Sequence, residues 1–244
     1  MPFPLAHPAV VLPLRRWCPR ALSFPALVVG SISPDLGYCF GALNVHEFSH
    51  RWLGIFGFCL PAGLLLLWLF YRLRLPALAI LPGRYQHVLS PLCRRPAGPF
   101  PVIVLSVLIG AATHVIGDSF THKEGWFVQR LQVLQVPVLP VAGHTVRVFH
   151  LLWYACSFAG VAWLCLAYEH WKQTGGTGAA PASRRLSVGK AVLFGSLVVF
   201  IGALHHLVTN WLGYCLVGCL SLVLVVGIAL SIGNPGQGGQ ASEA

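Results

Sequence analysis

Residues 110–122, GAATHVIGDSFTH, decide how the chain is read. They close the apolar run 101–109, PVIVLSVLI, and place His114, Asp118 and His122 four residues apart. On an α-helix a four-residue step turns the side chain by only about 40°. The three therefore stack on one face over roughly two turns. Imidazole, carboxylate and imidazole on one face make half of a metal site, since neutral His and Asp suit Zn²⁺ and its neighbours. A helix end meeting the headgroup region explains one such residue. Three in register at the end of a membrane-like segment favour the metal.

That segment is one of several. The 244 residues are 56% hydrophobic and only 9% charged, with mean hydropathy +0.73. A soluble domain carries about 25% charged residues. The fold class expected is all-α, a polytopic transmembrane helical bundle. Clear spans fall at 53–71, 101–117, 148–168, 191–207 and 212–232. A sixth, 21–43, is apolar apart from Asp35 but is interrupted by SISPD at 31–35, where Pro34 ends or kinks a helix. It is either a crossing or two short helices packed within the protein. Five to six membrane segments are expected, six being preferred, in a single domain at 1–232. The Gly/Gln-rich tail 233–244 is expected to be disordered.

The formal charge of +10 fits basic loops facing anionic lipid on the cytoplasmic side. Placing the Arg-rich loop 72–99 and the linker 169–189 inside puts His114, Asp118 and His122 on the opposite, non-cytoplasmic face. The polar island 44–52, His150 and His205–His206 fall there too. Arg15, Arg16 and Arg20 agree with this orientation only if 21–43 crosses the bilayer. There is no nucleic-acid motif, so membrane lipid and an amphipathic substrate are the expected partners. The eight cysteines show no CxxC pair and sit mostly in apolar runs, where a thiol acts as a small hydrophobe.

Scarcity makes the remaining ionisable groups informative. The chain has two aspartates, Asp35 and Asp118, both in apolar surroundings. A metal or a histidine would explain Asp35, and so would a helix cap at the Ser-Pro-Asp turn. The island NVHEFSHRW carries His46, Glu47, His50 and Arg51. His46-Glu47-Phe48-Ser49-His50 fits HExxH literally and stands as an alternative metal motif. Glu47, or a spare carboxylate such as Asp118, is the candidate general base. Arg51 reads first as an interfacial anchor and second as a partner for a substrate phosphate or carboxylate. His87, His144 and His170 read as solvated loop residues.

Four stretches carry a resemblance: MPFPLAHPAVVLPLRR, LVVGSISPDLGY, FSHRWLGIFGFCLPAGLLLLWLF and GAATHVIGDSFTHKEGWFV. In this order, across about the first 150 residues, they resemble the family of bacterial membrane proteins catalogued as domain of unknown function 4184. More distantly, the chain resembles the membrane-bound metal-dependent hydrolase family, whose pattern has an early His, a Pro-Asp, a Thr/Ser-His element and a His-x3-Asp. Matched residue by residue, this resemblance implies His7, Asp35, His50, His114 and Asp118 as metal ligands. His122 belongs to the local motif of the first family. The Gly-His-Arg element of the hydrolases is absent; Phe48-Ser49-His50 stands in its place.

The reading is then a membrane-embedded, metal-dependent hydrolase of a lipid-like or amphipathic ester or phosphoester, in the bacterial cytoplasmic membrane. One or two divalent ions are expected, with Zn²⁺ first, lowering the pKa of bound water toward about 7. A proton- or ion-coupled transporter and a non-catalytic membrane scaffold are the alternatives.

Overall fold

The computed structural model describes residues 6–18, 20–39, 43–81, 83–141 and 144–171. The spans expected at 191–207 and 212–232, His205, His206 and the tail lie outside them, as do the side chains of His87 and His144. From the N-terminus the helices are α1 (Pro8–Val11), continued by a 3₁₀ turn (Leu12–Trp17), and α2 (Phe24–Ile32). A second 3₁₀ turn (Ser33–Asp35) leads to α3 (Leu36–Cys39), followed by α4 (Leu43–Ser49). Next, α5 (Trp52–Gly54) runs through a π-helical turn (Ile55–Cys59) into α6 (Leu60–Ile80), with α7 (Gly83–Cys93) after it. Helix α8 (Phe100–Asp118), the short α9 (Trp126–Arg130) and α10 (Gln132–Gln135), and α11 (Val148–Trp171) complete the set.

Among the described residues, three segments are long and apolar enough to cross a membrane: Trp52–Ile80, Phe100–Asp118 and Val148–Tyr168. At 1.5 Å per residue the second is about 28 Å long, close to the hydrocarbon thickness of a bilayer. The chain is therefore a largely helical membrane protein. Segment 21–43 is not a sixth crossing of ordinary form. Its helix α2 has 9 residues, and the 3₁₀ turn follows at once because Pro34 has no N–H to continue the ladder. The all-α expectation also needs correction. Residues 137–147, which lie outside every expected span, fold into an antiparallel pair, β1 (Pro137–Val141) and β2 (His144–Arg147), with Leu139 opposite Val146. Its register shifts between Pro137 and Leu139, and strand prolines belong at such edges and irregularities.

Helix α8 is the axis of the packing. Small residues let α2 lie directly on it: a Cβ on Gly110 would run into the Leu27 carbonyl, and one on Gly30 into that of Val107. Close backbone approach at small residues is how helices associate where lipid removes the hydrophobic drive. Ser106 adds a polar fastening, its hydroxyl accepting the Ser23 N–H at 2.8 Å and donating to Val102 O. The pairs Ser23–Ser106, Leu27–Gly110 and Ser31–His114 advance together, so α2 runs parallel to α8. The helix containing α6 runs the other way. Ile55 and Cys59 pack on Ala111 and Val115, and Leu67 packs near Ile103 and Val107. The Arg72–Arg95 end of α6 and α7 therefore lies at the Phe100 end of α8, and Asp118 is at the opposite pole.

Candidate metal centre

Three chain breaks meet at the Asp118 end of α8. The first is the end of α2. The last four carbonyls of a helix have no partner of their own. Here Ser33 Oγ donates to Gly30 O at 2.8 Å, and the Nδ1–H of His114 takes Ser31 O at 2.7 Å. The second is the end of α4, where Ser49 Oγ sits 2.8 Å from Pro34 O and 2.7 Å from His46 O, tying α4 to the Ser-Pro-Asp turn. Gly54 allows this close fold, since a Cβ there would strike the Phe48 carbonyl. His50 Nδ1 donates to His46 O at 2.9 Å. The third is the end of α8 itself, at Asp118.

These anchors aim both Nε2 atoms inward. With Nδ1–H spent on a carbonyl, each ring presents a lone pair at Nε2, as ligating histidines do. Asp35, His50, His114 and Asp118 each offer one ligand atom, and all four atoms lie within 4.8 Å of one another. His50 Nε2 is 3.3 Å from His114 Nε2, 3.3 Å from Asp118 Oδ2 and 3.6 Å from Asp35 Oδ1. His114 Nε2 is 3.2 Å from Asp118 Oδ2 and 3.5 Å from Asp35 Oδ1. A tetrahedral ion with nitrogen and oxygen ligands at 2.0–2.1 Å requires ligand-to-ligand edges of about 3.3–3.4 Å. Five of the six edges are thus near the required length.

Polar satisfaction supports the same conclusion. All four carboxylate oxygens of Asp35 and Asp118 are buried without a hydrogen-bond partner among the described residues. With the imidazoles neutral, as ligation requires, the two buried aspartates are left with uncompensated charge, and buried charges are normally paired or bound to metal. A divalent cation fits both the charge and the spacing.

The structure also places the remaining candidates. His7, 4% exposed, stacks face to face on His114 with centroids 3.6 Å apart. Its Nε2 lies 3.5 Å from Asp118 Oδ1, the oxygen opposite the one that meets His50 and His114. It sits beside the four rather than among them. Burial and then the neighbouring His114 hold it down to about 4, so the ring is neutral. What keeps it there is α11: a Cβ on Gly160 would lie 2.9 Å from the Ala6 Cβ, so only glycine lets this part of the chain settle in. His122 is half out of the pocket. Its Nδ1–H caps Asp118 O at 3.0 Å and is 3.7 Å from Asp118 Oδ2. Burial holds it at about 4 against the pull of Asp118. Burial lowers His50 too, but Asp118 and Asp35 outweigh it and push His50 up to about 9.

The HExxH alternative takes a different form from a two-histidine ligand pair. His46 lies against the His50 ring, with centroids 4.2 Å apart, and lends its carbonyl to it, while His50 faces the pocket. Glu47 is exposed and outside the gathered set. His150 accepts the Arg147 N–H at 3.0 Å at the start of α11 and is not one of the four ligands. The helpful signal that sequence reading lacked was Ser31, whose carbonyl fixes the His114 ring.

No curated protein matches the chain, and no solved structure does. None of these comparisons brings in the membrane-bound metal-dependent hydrolases. A family model described as Domain of unknown function (DUF4184) matches residues 1–232, which include all four gathered ligands and His7. The chain belongs to the DUF4184 family.

Proposed function

We propose that this protein is a membrane-embedded, metal-dependent hydrolase of an amphipathic ester or phosphoester, with Zn²⁺ as its ion. The observation that carries the reading is the near-tetrahedral gathering of Asp35, His50, His114 and Asp118, with unbonded carboxylate oxygens, at one end of the spans. Such an ion, when bound, polarises a carbonyl or phosphoryl oxygen and brings the pKa of a water down to about 7.

The chain's own residues do the rest. The Ser31 and His46 carbonyls hold the two rings in the ligating tautomer. Asp118 turns Oδ2 toward His50 and His114 and leaves Oδ1 facing His7, so it can both hold a ligand position and take up a proton. The neutral His7 ring beside Oδ1 is placed to accept that proton in turn. Location favours chemistry over conduction, because the carboxylates and imidazoles gather at one pole, with none in α6 and none in α8 before His114. The basic α6–α7 end fits the cytoplasmic face of a bacterial membrane, which puts the pocket on the other face.

The test is metal analysis of the purified chain joined to a hydrolysis screen of p-nitrophenyl esters, phosphomonoesters and phosphodiesters. The reading predicts about one ion per chain and turnover that EDTA abolishes and Zn²⁺ restores. Full metal content in a His114→Ala, Asp118→Ala double variant overturns it.

A further inference from the structure

The pocket opens on one side. The side chains of His7, Asp35, His114 and Asp118 are at most 6% exposed, while His50 is 18% and His122 is 30% exposed. Each of these two rim histidines is followed directly by an exposed cation, Arg51 or Lys123. Exposed tryptophans stand close behind in sequence: Trp52 after Arg51 and Trp126 after Lys123. Trp52, Leu53 and Phe56 are all at least 60% exposed and continue the rim as an apolar strip along the start of the first span.

Most other described cations are already engaged within the chain. Arg16 lies over Trp17, Arg74 over Tyr71 and Arg130 over Trp126, while Arg147 donates to Gln135 O. Arg51 and Lys123 make no such contact among the described residues. The Asp35 and Asp118 charges already match a divalent ion. The exposed Glu47 and Glu124 on the same two stretches form no ion pair with Arg51 or Lys123 among the described residues, Glu124 accepting instead from Gln129, so both cations are open to an anion from outside. A carboxylic ester brings none. A phosphate monoester brings a dianion whose oxygens can face the ion and the two cations together, which suits the planar guanidinium of Arg51 and the point charge of Lys123.

We propose that the pocket takes the phosphate head of a membrane amphiphile between Arg51 and Lys123, with its tail along Trp52, Leu53 and Phe56. The inference deepens the hydrolase reading and rests on it. In the reaction, the oxygen of water bonds to phosphorus and the bond from phosphorus to the lipid oxygen breaks. One water proton ends on the lipid alcohol and the other on the released phosphate.

The experiment uses the full chain in phosphatidylcholine nanodiscs, titrated with dihexanoyl phosphatidic acid, dihexanoylglycerol or inorganic phosphate, with ion content measured on each sample. The expected result is binding of the phosphatidic acid at least tenfold tighter than either other probe. Arg51→Gln with Lys123→Gln weakens it at least tenfold at unchanged ion content, Lys123→Arg keeps it, and Arg72→Gln at the far pole leaves it unchanged. Binding by inorganic phosphate as tight as by the lipid overturns the membrane source of the head. Wild-type affinity in the double variant, or equal binding of dihexanoylglycerol, overturns the phosphate reading while an intact ion content leaves the metal centre standing. A wild-type protein without an ion sinks the metal reading itself.

Discussion

The Nε2 atoms of His50 and His114 stand 3.3 Å apart, while both Nδ1 atoms are already committed to backbone carbonyls. Once His50 has given up its proton, two rings held this way turn Nε2 lone pairs toward each other, an arrangement that a cation between them satisfies. Removing either ring or either carboxylate should therefore abolish binding of the ion. His114→Ala, or Asp118→Asn, is expected to lower affinity by more than about 100-fold, beyond what outer partners of a ligand contribute. Metal content by mass spectrometry checks this, and a variant that still copurifies with a full ion contradicts it.

His122 should behave differently from His114 despite sharing its i, i+4 relation to Asp118. Its Nδ1–H is spent on the Asp118 carbonyl, and the ring stands at the rim. His122→Ala is expected to cost at most about tenfold in ion affinity, the low end for an outer partner. A loss equal to that of His114→Ala would make it a full ligand.

Affinity for the ion should rise with pH. Ligation needs the neutral ring, and in the metal-free protein His50 keeps its proton up to about 9. Below that value each binding event releases at least this proton, so affinity climbs at least about tenfold per pH unit. Zn²⁺ titrations at pH 6.0, 6.8 and 7.5 measure the slope; affinity independent of pH would contradict it.

Glycines on α8 should divide sharply. A Cβ at Gly110 meets the α2 backbone, whereas one at Gly117 meets nothing within 4 Å among the described residues. Gly110→Val should destabilise by about 3 kcal/mol through overpacking, and Gly117→Ala should stabilise by about 0.5–1 kcal/mol. Thermal unfolding in detergent separates the two.

Gly160 is the remote counterpart. Gly160→Val should displace Ala6 and with it the His7 ring, leaving the four ligands in place. The expected outcome is retained ion content and at least a tenfold fall in turnover. Unchanged turnover would show that His7 is not needed beside Asp118.

The sequence made much of the site readable because charged groups are so rare within it. Asp35 and Asp118 stand out as the two aspartates of the chain, each in an apolar run, and the four-residue step from His114 to Asp118 survived intact because α8 extends through both. The same step brings His122 within 3.7 Å of Asp118 Oδ2 but leaves it at the rim, because α8 ends at Asp118 and the next turn uses the imidazole as a cap. His7 could be proposed only by resemblance; its place depends on Gly160, more than 150 residues away, which no local pattern reveals. Segment 21–43 read as apolar enough to cross, but hydropathy does not register that Pro34 divides it. The β-hairpin was missed because prolines in its first strand mask the alternation that marks a strand.

Pro34 links backbone chemistry to ring chemistry. By halting α2 it leaves the Ser31 carbonyl open to a partner from another helix, and His114 takes it. In a continued α2 the Asp35 amide would take the Ser31 carbonyl, four residues back, and compete with the imidazole for it, loosening the hold on one tautomer. Straightening this bend would thus make the chain locally more regular and the centre chemically ambiguous. Repair of the helix would undo the site.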